Sequence, residues 1–563
     1  MKKFAVILSS VAVVAMMLTS CGGKLGQLSA DNFKVVPNPL EAEQGKVEAT
    51  INGMFPEKYM QKKAVVTVTP ELRFVQDGVQ QSVKGSSATF QGEKVLGNNQ
   101  TVSYLLGGNY SMKTSFDYVP AMQKSELYLT FDAVLGKKQV DVQPVKVADG
   151  VIATSELYRR TVLTAQPSVS QDAFQRVTEQ KLDANVKFLI QQAELRKSEL
   201  QSNSVKDFVS LLHRIAADKE NMNISNVEIS AYASPDGGVE LNEKLANQRQ
   251  QTTESYVKNQ MKIAKIDTHL TSEYTAQDWE GFQALVKVSN IQDKDVILRV
   301  LSMYQDPQER EQQIKNMSQG FQELADGILP ELRRARMTIN YETIGRDDDQ
   351  IFEQYKQDAS QLSVEELIYA ASIAENDVQR ENILKTTTTL YPKDSRAYNN
   401  LAALAIQKGN TDEAKRLLGV AGEVDKRNAE ANANLGLIAL QEGDMKAAEN
   451  YVSQAAGAKG VAEVIGNLHL AQGNYALAEQ DFGNTKSNSA ALAQILNKDY
   501  ARAAQTLSLI KQKDGMTDYL SAILYARQGK NSEAAASLSS ALAKDASLRA
   551  YASNDIELKN VAK

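Results

Sequence analysis

Residues 400–420 read NLAALAIQKGNTDEAKRLLGV, and residues 434–454 read NLGLIALQEGDMKAAENYVSQ. The two stretches match in pattern at a spacing of 34 residues, which is also the separation of Gly409 and Gly443. A glycine permits the tight turn between two helices. The alanine that stands five residues after each glycine lets the second helix lie close to the first. The pattern therefore predicts consecutive helix–turn–helix units that stack on one another.

A helical period of this length resembles that of tetratricopeptide repeats. The glycine-to-alanine spacing recurs from Gly473 and from Gly529, and it persists at Lys498, where the glycine is lost. We predict an all-α solenoid over residues 363–548 and a C-terminal tail over residues 549–563. Such an array presents a concave groove to protein partners. The residues predicted to line the groove are Tyr398, Asn399, Ala431, Asn434, Asn467 and Tyr519.

The N-terminal region, residues 31–167, has the pattern of an all-β domain. It is rich in Val, Thr, Tyr and Phe, with turn residues at short intervals. Residues 64–69, 101–106 and 125–131 are predicted strands. Many short strands at this spacing indicate a sandwich of two sheets, and we expect an immunoglobulin-like module.

The central region, residues 183–341, alternates strand and helix patterns, which predicts an α/β domain. Residues 229–257 resemble the core motif of the OmpA C-terminal-like, peptidoglycan-associated domains. The residues that carry the resemblance are Gly237 in a turn, then Asn242, Leu245 and Arg249 along a helix, and a closing strand at 332–337. Relative to that family, residues 271–329 are predicted to be a long insertion, and residues 342–362 a linker.

The resemblance implies a site for the diaminopimelate of a peptidoglycan stem peptide. In that family an Asp in the turn holds the ammonium group and the helix arginine, here Arg249, holds a carboxylate. Ser234 stands where the family has the Asp, and a neutral side chain cannot make that charge-assisted contact. Asp236 is the substitute, with Asn242 completing the predicted site. Alternatively, Arg249 only anchors a loop to the helix.

The N-terminus has the three parts of a signal peptide. Two lysines precede an apolar stretch at residues 4–18, which is too short to span a bilayer. Residues 18–21 read LTSC and resemble a bacterial lipobox, which implies cleavage after residue 20 and a lipid on Cys21. Residues 21–30 form a flexible spacer. With no Asp beside Cys21, the resemblance implies the outer membrane, and we expect the periplasmic face.

No constellation of residues in the sequence indicates catalysis. The three histidines have no metal-ligand spacing, Cys21 is the only cysteine, and no nucleophile or phosphate-binding motif occurs. A net charge of −6 does not favour nucleic acid. We therefore predict no enzyme, cofactor or metal. The predicted function is a lipid-anchored envelope adaptor that binds proteins through its repeats, with peptidoglycan as a further ligand. The alternative is a cell-surface adhesin or glycan-handling accessory that has lost wall binding.

Overall fold

The computed structural model describes residues 25–291, 294–316 and 318–561. Cys21 and the predicted signal peptide lie outside these ranges, so the acylation of Cys21 stays a prediction. Among the residues that the structure describes, none of the helices combines the length and the apolar character that crossing a bilayer requires.

The described chain divides into two compact units. One unit combines residues 25–171 with residues 374–561, and the other is the continuous stretch Asp172–Ile373. The β-rich N-terminal region and the helical repeats therefore share one unit. Along the chain, the central unit is inserted between the two parts of the first.

Residues 25–171 form twelve strands, in two sheets around one core. The strands are β1 Phe33–Val36, β2 Leu40–Glu43, β3 Lys46–Phe55, β4 Ala64–Gln76, β5 Val79–Lys84, β6 Ala88–Gly92, β7 Gln100–Val102, β8 Gly108–Asp117, β9 Ser125–Leu135, β10 Lys138–Val140, β11 Val145–Asp149 and β12 Val151–Ile152. A short helix, α1 (Tyr158–Thr161), follows them. The first sheet has the order β1-β3-β2-β12, with β8 beside β3, and the second has the order β10-β9-β4-β6-β7, with β11 beside β9 and β5 beside β4.

Alternate side chains of the long strands fill the space between the two sheets. Val47 and Ile51 of β3 and Val66 and Val68 of β4 are fully buried in one apolar cluster. This alternation confirms the prediction of a β-rich N-terminal region, while the immunoglobulin-like assignment stays a prediction. The predicted strand at 101–106 is wrong beyond Val102, because the chain turns back there on a Gly107 with positive φ.

The central unit contains one four-stranded sheet and ten helices within its described residues. The strands are β13 Val177–Lys187, β14 Met222–Tyr232, β15 Leu270–Thr275 and β16 Arg334–Ile344. Their order is β13-β16-β14-β15, in which only β14 and β15 run parallel. The helices are α2 Lys197–Leu200, α3 Asn203–Ala217, α4 Val239–Ala264, α5 Trp279–Val288, α6 Lys294–Met303, α7 Pro307–Lys315, α8 Ser318–Gly327, α9 Leu329–Leu332, α10 Asp348–Asp358 and α11 Val364–Ser372.

Two of these helices cover the sheet with apolar side chains. Phe208 and Leu212 of α3 and Val257 of α4 are buried in the same cluster as Ile229 and Met337 of the sheet. The α/β layer expected for this region is therefore present. Its assignment to the OmpA-like family stays a prediction.

Three predicted boundaries in this region need correction. Residues 271–275, predicted to begin an insertion, pair with β14 as part of β15, and a separate apolar cluster of helices follows them. The predicted linker at 342–362 instead continues β16 to Ile344 and then forms α10, whose Ile351 is fully buried. Helix α11, predicted to open the repeats, belongs to the central unit. The buried Ile351 explains why residues 342–362 do not form a free connector.

The helical repeats occupy residues 374–561. The helices are α12 Asp377–Leu390, α13 Ser395–Gln407, α14 Thr411–Val424, α15 Ala429–Glu442, α16 Met445–Ser453, α17 Val461–Ala471, α18 Tyr475–Phe482, α19 Asn488–Leu496, α20 Tyr500–Leu509, α21 Gly515–Arg527, α22 Asn531–Lys544 and α23 Leu548–Ala552. From α13 to α22 they pack as five consecutive pairs. The predicted tail at 549–563 is wrong as far as Val561, because Leu558 and Val561 are buried in the repeat core.

The repeat signature has the predicted physical basis. Gly409, Gly443, Gly473 and Gly529 turn between paired helices at φ of 72°, 79°, 72° and 73°. Lys498, which replaces the glycine in the remaining pair, takes the same left-handed conformation. The alanines that follow at a spacing of five are fully buried: Ala414, Ala448, Ala478, Ala503 and Ala534.

Candidate functional site

Two asparagines on the first helices of consecutive repeats bind an extended segment of the same chain. Asn434 on α15 accepts the backbone N–H of Ser168 at 2.7 Å and donates to the carbonyl of Ser168 at 2.8 Å. Asn400 on α13 accepts the N–H of Ser170 at 2.8 Å and donates to its carbonyl at 3.0 Å. Because Asn400 and Asn434 are 34 residues apart, they hold equivalent positions in their repeats. Each amide side chain satisfies both backbone groups of one residue, as a neighbouring β-strand would.

A third asparagine joins the two pairs into one network. Asn399 donates to the Ser168 carbonyl at 3.2 Å and to Ser170 Oγ at 3.1 Å, and its own oxygen accepts from Asn434 at 2.9 Å. Asn399 and Asn434 are fully buried. A buried amide that lacks partners is costly, so the complete set of bonds fixes the backbone of the segment in one register.

Further contacts extend along residues 162–171, which we call the groove segment. Gln441 donates to the carbonyl of Val162 at 3.1 Å, and Gln407 donates to Gln166 Oε1 at 3.2 Å. At the other end, the side chain of Lys459 donates to Gln171 Oε1 at 2.5 Å. The groove of the repeats therefore binds an extended backbone at Ser168 and Ser170, and the groove segment, which begins with a 3-10 turn at Val162–Thr164, fills it.

The predicted groove residues are distributed unevenly around this site. Asn399 and Asn434 bind the groove segment. The hydroxyl of Tyr398 instead donates to the carbonyls of Thr388 and Pro392. The other three are buried: Ala431 and Asn467 within their own repeats, and Tyr519 with its hydroxyl donating to Asp555 at 2.6 Å. The assignment of Ala431, Asn467 and Tyr519 to the groove therefore stays a prediction. Asn400 was missed, although its 34-residue distance from Asn434 was a usable signal.

In the next repeat, the equivalent asparagine does not bind the backbone of the groove segment. Asn467 follows Asn434 by 33 residues, and its Nδ2 donates within its own helix to the Glu463 carbonyl at 2.8 Å. Among the described residues, no hydrogen-bond partner meets Asn467 Oδ1 or Glu463 Oε1, and both atoms are buried. Burial raises the pKa of Glu463 to about 7, which Ser487 and Asn467 only partly offset.

This buried carboxyl predicts a pH dependence of stability. A raised folded-state pKa means that Glu463 contributes its full stability below its unfolded pKa of 4.5 and that the contribution is lost as pH rises through about 7. We expect the free energy of unfolding of wild type, relative to Glu463→Gln, to fall by about 2–3 kcal/mol between pH 5 and pH 8. Denaturant titrations of both proteins measure this difference. The exposed Glu423→Gln serves as control, and an equal pH profile for all three proteins would contradict the prediction.

In the central unit, Arg249 lies where α4 crosses the sheet. Its Nε donates to the carbonyl of Gln192 at 3.0 Å, and its two terminal nitrogens donate to the carbonyls of Tyr232 at 2.8 Å and Leu189 at 3.4 Å. The guanidinium also lies over the ring of Phe188. The side chain is fully buried, and burial together with the charge of Arg333 lowers its pKa to about 10. This geometry matches the alternative interpretation, in which Arg249 anchors a loop to the helix.

The other predicted wall-binding residues surround a small pocket beside Arg249. Asp236 forms an ion pair of 3.0 Å with Arg333, and Ser234 donates to the same carboxylate. Asn242 holds the turn by donating to the carbonyls of Ser234 and Gly237, both at 2.9 Å. The pocket measures about 70 Å³, so it has room for a terminal group of a ligand and not for a whole sugar or peptide. Arg333, which the motif comparison did not assign to the site, neutralises the one carboxylate that faces it.

Within the described ranges, His, Cys, Asp and Glu side chains form no group of three or more that could hold a metal ion. His469 instead contacts Asp481 through Nδ1 at 2.5 Å.

Comparisons with known proteins give fold-level likenesses of low similarity. No family model and no curated protein matches the chain. Solved structures that match include a tetratricopeptide repeat protein from Parabacteroides merdae, at 15% identity over 37% of this chain and 90% of that chain, with a TM-score of 0.28. Another is PilF of Pseudomonas aeruginosa, at 16% identity over 37% of this chain and 97% of that chain, with a TM-score of 0.27. Yeast Tom70 matches at 13% identity over 63% of this chain and 82% of that chain, with a TM-score of 0.24.

Proposed function

We propose that this protein is a non-catalytic scaffold lipoprotein of the bacterial outer membrane that binds other proteins through its helical repeats. The observation that carries the proposal is the helical array, which holds an extended peptide of its own chain at Asn400 and Asn434 and leaves the second helices of its pairs exposed. An array built this way binds peptide chains. The lipid on Cys21 is the proposed anchor, and the periplasm the proposed compartment.

Because the groove segment fills the groove, we propose that partner proteins bind another face of the repeats. Since the groove segment fills the contact positions of α13 and α15, we place the partner surface on the second helices of the pairs. Three of these helices carry exposed apolar side chains: Val424 on α14, Leu477 on α18 and Leu509 on α20. We propose these positions as the contact points for a protein partner.

Photo-crosslinking in intact envelopes tests this assignment. A benzophenone side chain placed at Leu477 or Leu509 is expected to give adducts with a defined protein partner. The matched control is the same side chain at Leu163, which is exposed in the groove segment and is expected to give none. Adducts at Leu163 and none on the second helices would contradict the proposed partner surface.

The proposed compartment is tested by adding protease to intact cells. We expect the protein to resist digestion until the outer membrane is permeabilised, as a periplasmic protein does. Digestion in intact cells would instead support the alternative of a cell-surface adhesin or glycan-handling accessory. Labelling with an alkyne fatty acid, present in wild type and lost in Cys21→Ala, tests the anchor separately.

A second candidate function is binding of peptidoglycan stem peptides by the central unit. It is favoured by the pocket that Asp236, Asn242 and Arg249 line. An incoming ammonium group would have to compete with Arg333 for Asp236, and this requirement predicts weak binding.

Sedimentation with purified sacculi measures this second function. We expect a part of the wild-type protein to sediment and Asp236→Asn to stay in the supernatant, because the substitution removes the only carboxylate proposed to bind the ammonium group. Glu220→Gln makes the same chemical change at an exposed position between α3 and β14 and should sediment like wild type. If wild type and Asp236→Asn both stay in the supernatant, the wall-binding proposal is wrong.

A further inference from the structure

Four turns meet at one end of the β-rich region, and we call this end the tip. The turns are residues 56–63, 92–97, 103–107 and 135–138. Hydrogen bonds between backbone groups join the turns. Lys58 N–H donates to the Tyr104 carbonyl at 2.6 Å, Lys94 N–H to the Lys62 carbonyl at 2.7 Å, and Gly136 N–H to the Lys63 carbonyl at 3.0 Å. The tip is therefore a fixed surface held by the first turn and not a set of independent loops.

Three leucines project from the tip into solvent. The exposed fraction is 102% for Leu96, 64% for Leu105 and 83% for Leu106. They lie in turns that are closed by their own hydrogen bonds, such as Gly107 N–H to the Ser103 carbonyl at 3.0 Å, and Ser103 Oγ also binds Glu93 of the neighbouring turn at 3.1 Å. A group of leucines held outward by rigid turns has no role in the core and marks an interaction surface.

The charge of the tip is opposite to that of the whole chain. Its four turns contain six lysines and two glutamates, a net charge of +4, whereas the full sequence has a net charge of −6. The six lysines are exposed: Lys58, Lys62, Lys63, Lys94, Lys137 and Lys138. Leucines surrounded by lysines match the surface of an anionic bilayer, where apolar side chains enter the headgroup–acyl boundary and cations attract lipid phosphates.

The start of the described chain lies at this same end. Leu25 and Leu28 are buried in the β core, and Gly26 lies against the ring of Tyr59 in the first turn of the tip. Cys21 precedes Leu25 by four residues, which reach at most about 14 Å. A lipid on Cys21 would therefore hold the tip, rather than the far end of the β-rich region, within that distance of the membrane surface.

From these observations we propose that the tip docks on the anionic bilayer surface, with Leu96, Leu105 and Leu106 inserted at the level of the lipid headgroups. This inference rests on the proposed lipid anchor and adds a second, non-covalent membrane contact. The leucines and lysines of the tip strengthen the attachment and orient the β-rich region on the membrane.

Tryptophan fluorescence in the full-length acylated protein tests the docking. Trp279 is the only native tryptophan. The emission of the tryptophan in Leu105→Trp is therefore obtained by subtracting the emission of the unsubstituted protein. The control is Val79→Trp, which is 57% exposed beyond the opposite end of β4. The thirteen residues of β4 separate the two sites by about 40 Å. Since Leu105 and Val79 are both exposed, neither substitution removes a core contact.

The proteins are bound to vesicles of phosphatidylethanolamine and phosphatidylglycerol whose acyl chains carry bromine near the headgroup. We expect the added emission of Leu105→Trp to be roughly halved relative to unbrominated vesicles, and that of Val79→Trp to stay unchanged. Flotation of the vesicles shows separately whether the protein is anchored. Floating protein with no quenching at Leu105→Trp contradicts the docking and leaves the anchor intact. Acylated protein that does not float contradicts the proposed anchor and the docking with it.

Discussion

Asn434→Ala is expected to lower the free energy of unfolding of the unit that contains the repeats by about 2–4 kcal/mol. The substitution removes both bonds to the backbone of Ser168 and the bond to Asn399. It leaves the buried N–H of Ser168 and the buried Oδ1 of Asn399 without these partners, and each such group costs about 1–3 kcal/mol, whereas the Ser168 carbonyl keeps its bond from Asn399. Chemical denaturation followed by far-ultraviolet circular dichroism measures the change.

The same variant should also release the groove segment locally. Amide hydrogen exchange at Ser168 and Ser170 is expected to become faster, because opening of the segment requires breaking fewer bonds. The control, Asn450→Ala, removes an exposed asparagine of α16 and should change the stability by less than about 0.5 kcal/mol. Exchange rates at residues 166–171 that are equal in Asn434→Ala and wild type would show that the asparagines do not hold the segment.

Arg249→Ala is expected to have the largest effect in the central unit, a loss of about 3–5 kcal/mol in the free energy of unfolding. Three backbone carbonyls lose a charged donor, and a fully buried side chain leaves a cavity beside Phe188. Because Trp279 lies in this unit and is the only tryptophan, its fluorescence reports the unfolding transition of the central unit directly.

Two further variants separate anchoring from ligand binding. Arg249→Lys keeps the charge but cannot donate to three carbonyls at once, so an intermediate loss of stability is expected. Lys262→Ala on the exposed face of α4 should be close to wild type. If Arg249→Ala folds with wild-type stability, the hydrogen bonds to the three carbonyls do not stabilise the unit. That result would favour a ligand-binding role for Arg249.

The helical repeats were predictable from one sequence because their determinants are local. A glycine with positive φ and a small alanine five residues later are required by the geometry of each pair, so they recur at a fixed spacing. The strand-and-helix order of the central region was predictable for the same reason, since alternating and helical apolar patterns are short-range signals. The motif also identified Asp236 and Arg249, which both line the pocket.

Other features depend on residues far apart in the sequence. The groove segment contains Ser168 and Ser170 in a short polar stretch with no periodic pattern, and its partner Asn434 is 266 residues away from Ser168. Nothing local distinguishes such a segment from a linker. The ion pair of Arg333 with Asp236 has the same character, with 97 residues between the partners. The buried end of the chain was missed because Leu558 and Val561 are isolated apolar residues in a polar surrounding.

The groove segment also constrains the order in which the protein reaches its final state. During synthesis, residues 162–171 emerge more than two hundred residues before Asn400 and Asn434, and the whole central unit lies between them. Contacts of such high sequence separation form late, because a long loop must close first. The groove segment therefore reaches its final position only after the repeats that carry Asn400 and Asn434 are made. A chain that stops early exposes an unpaired strand-like segment, the kind of species that a chaperone or a protease recognises.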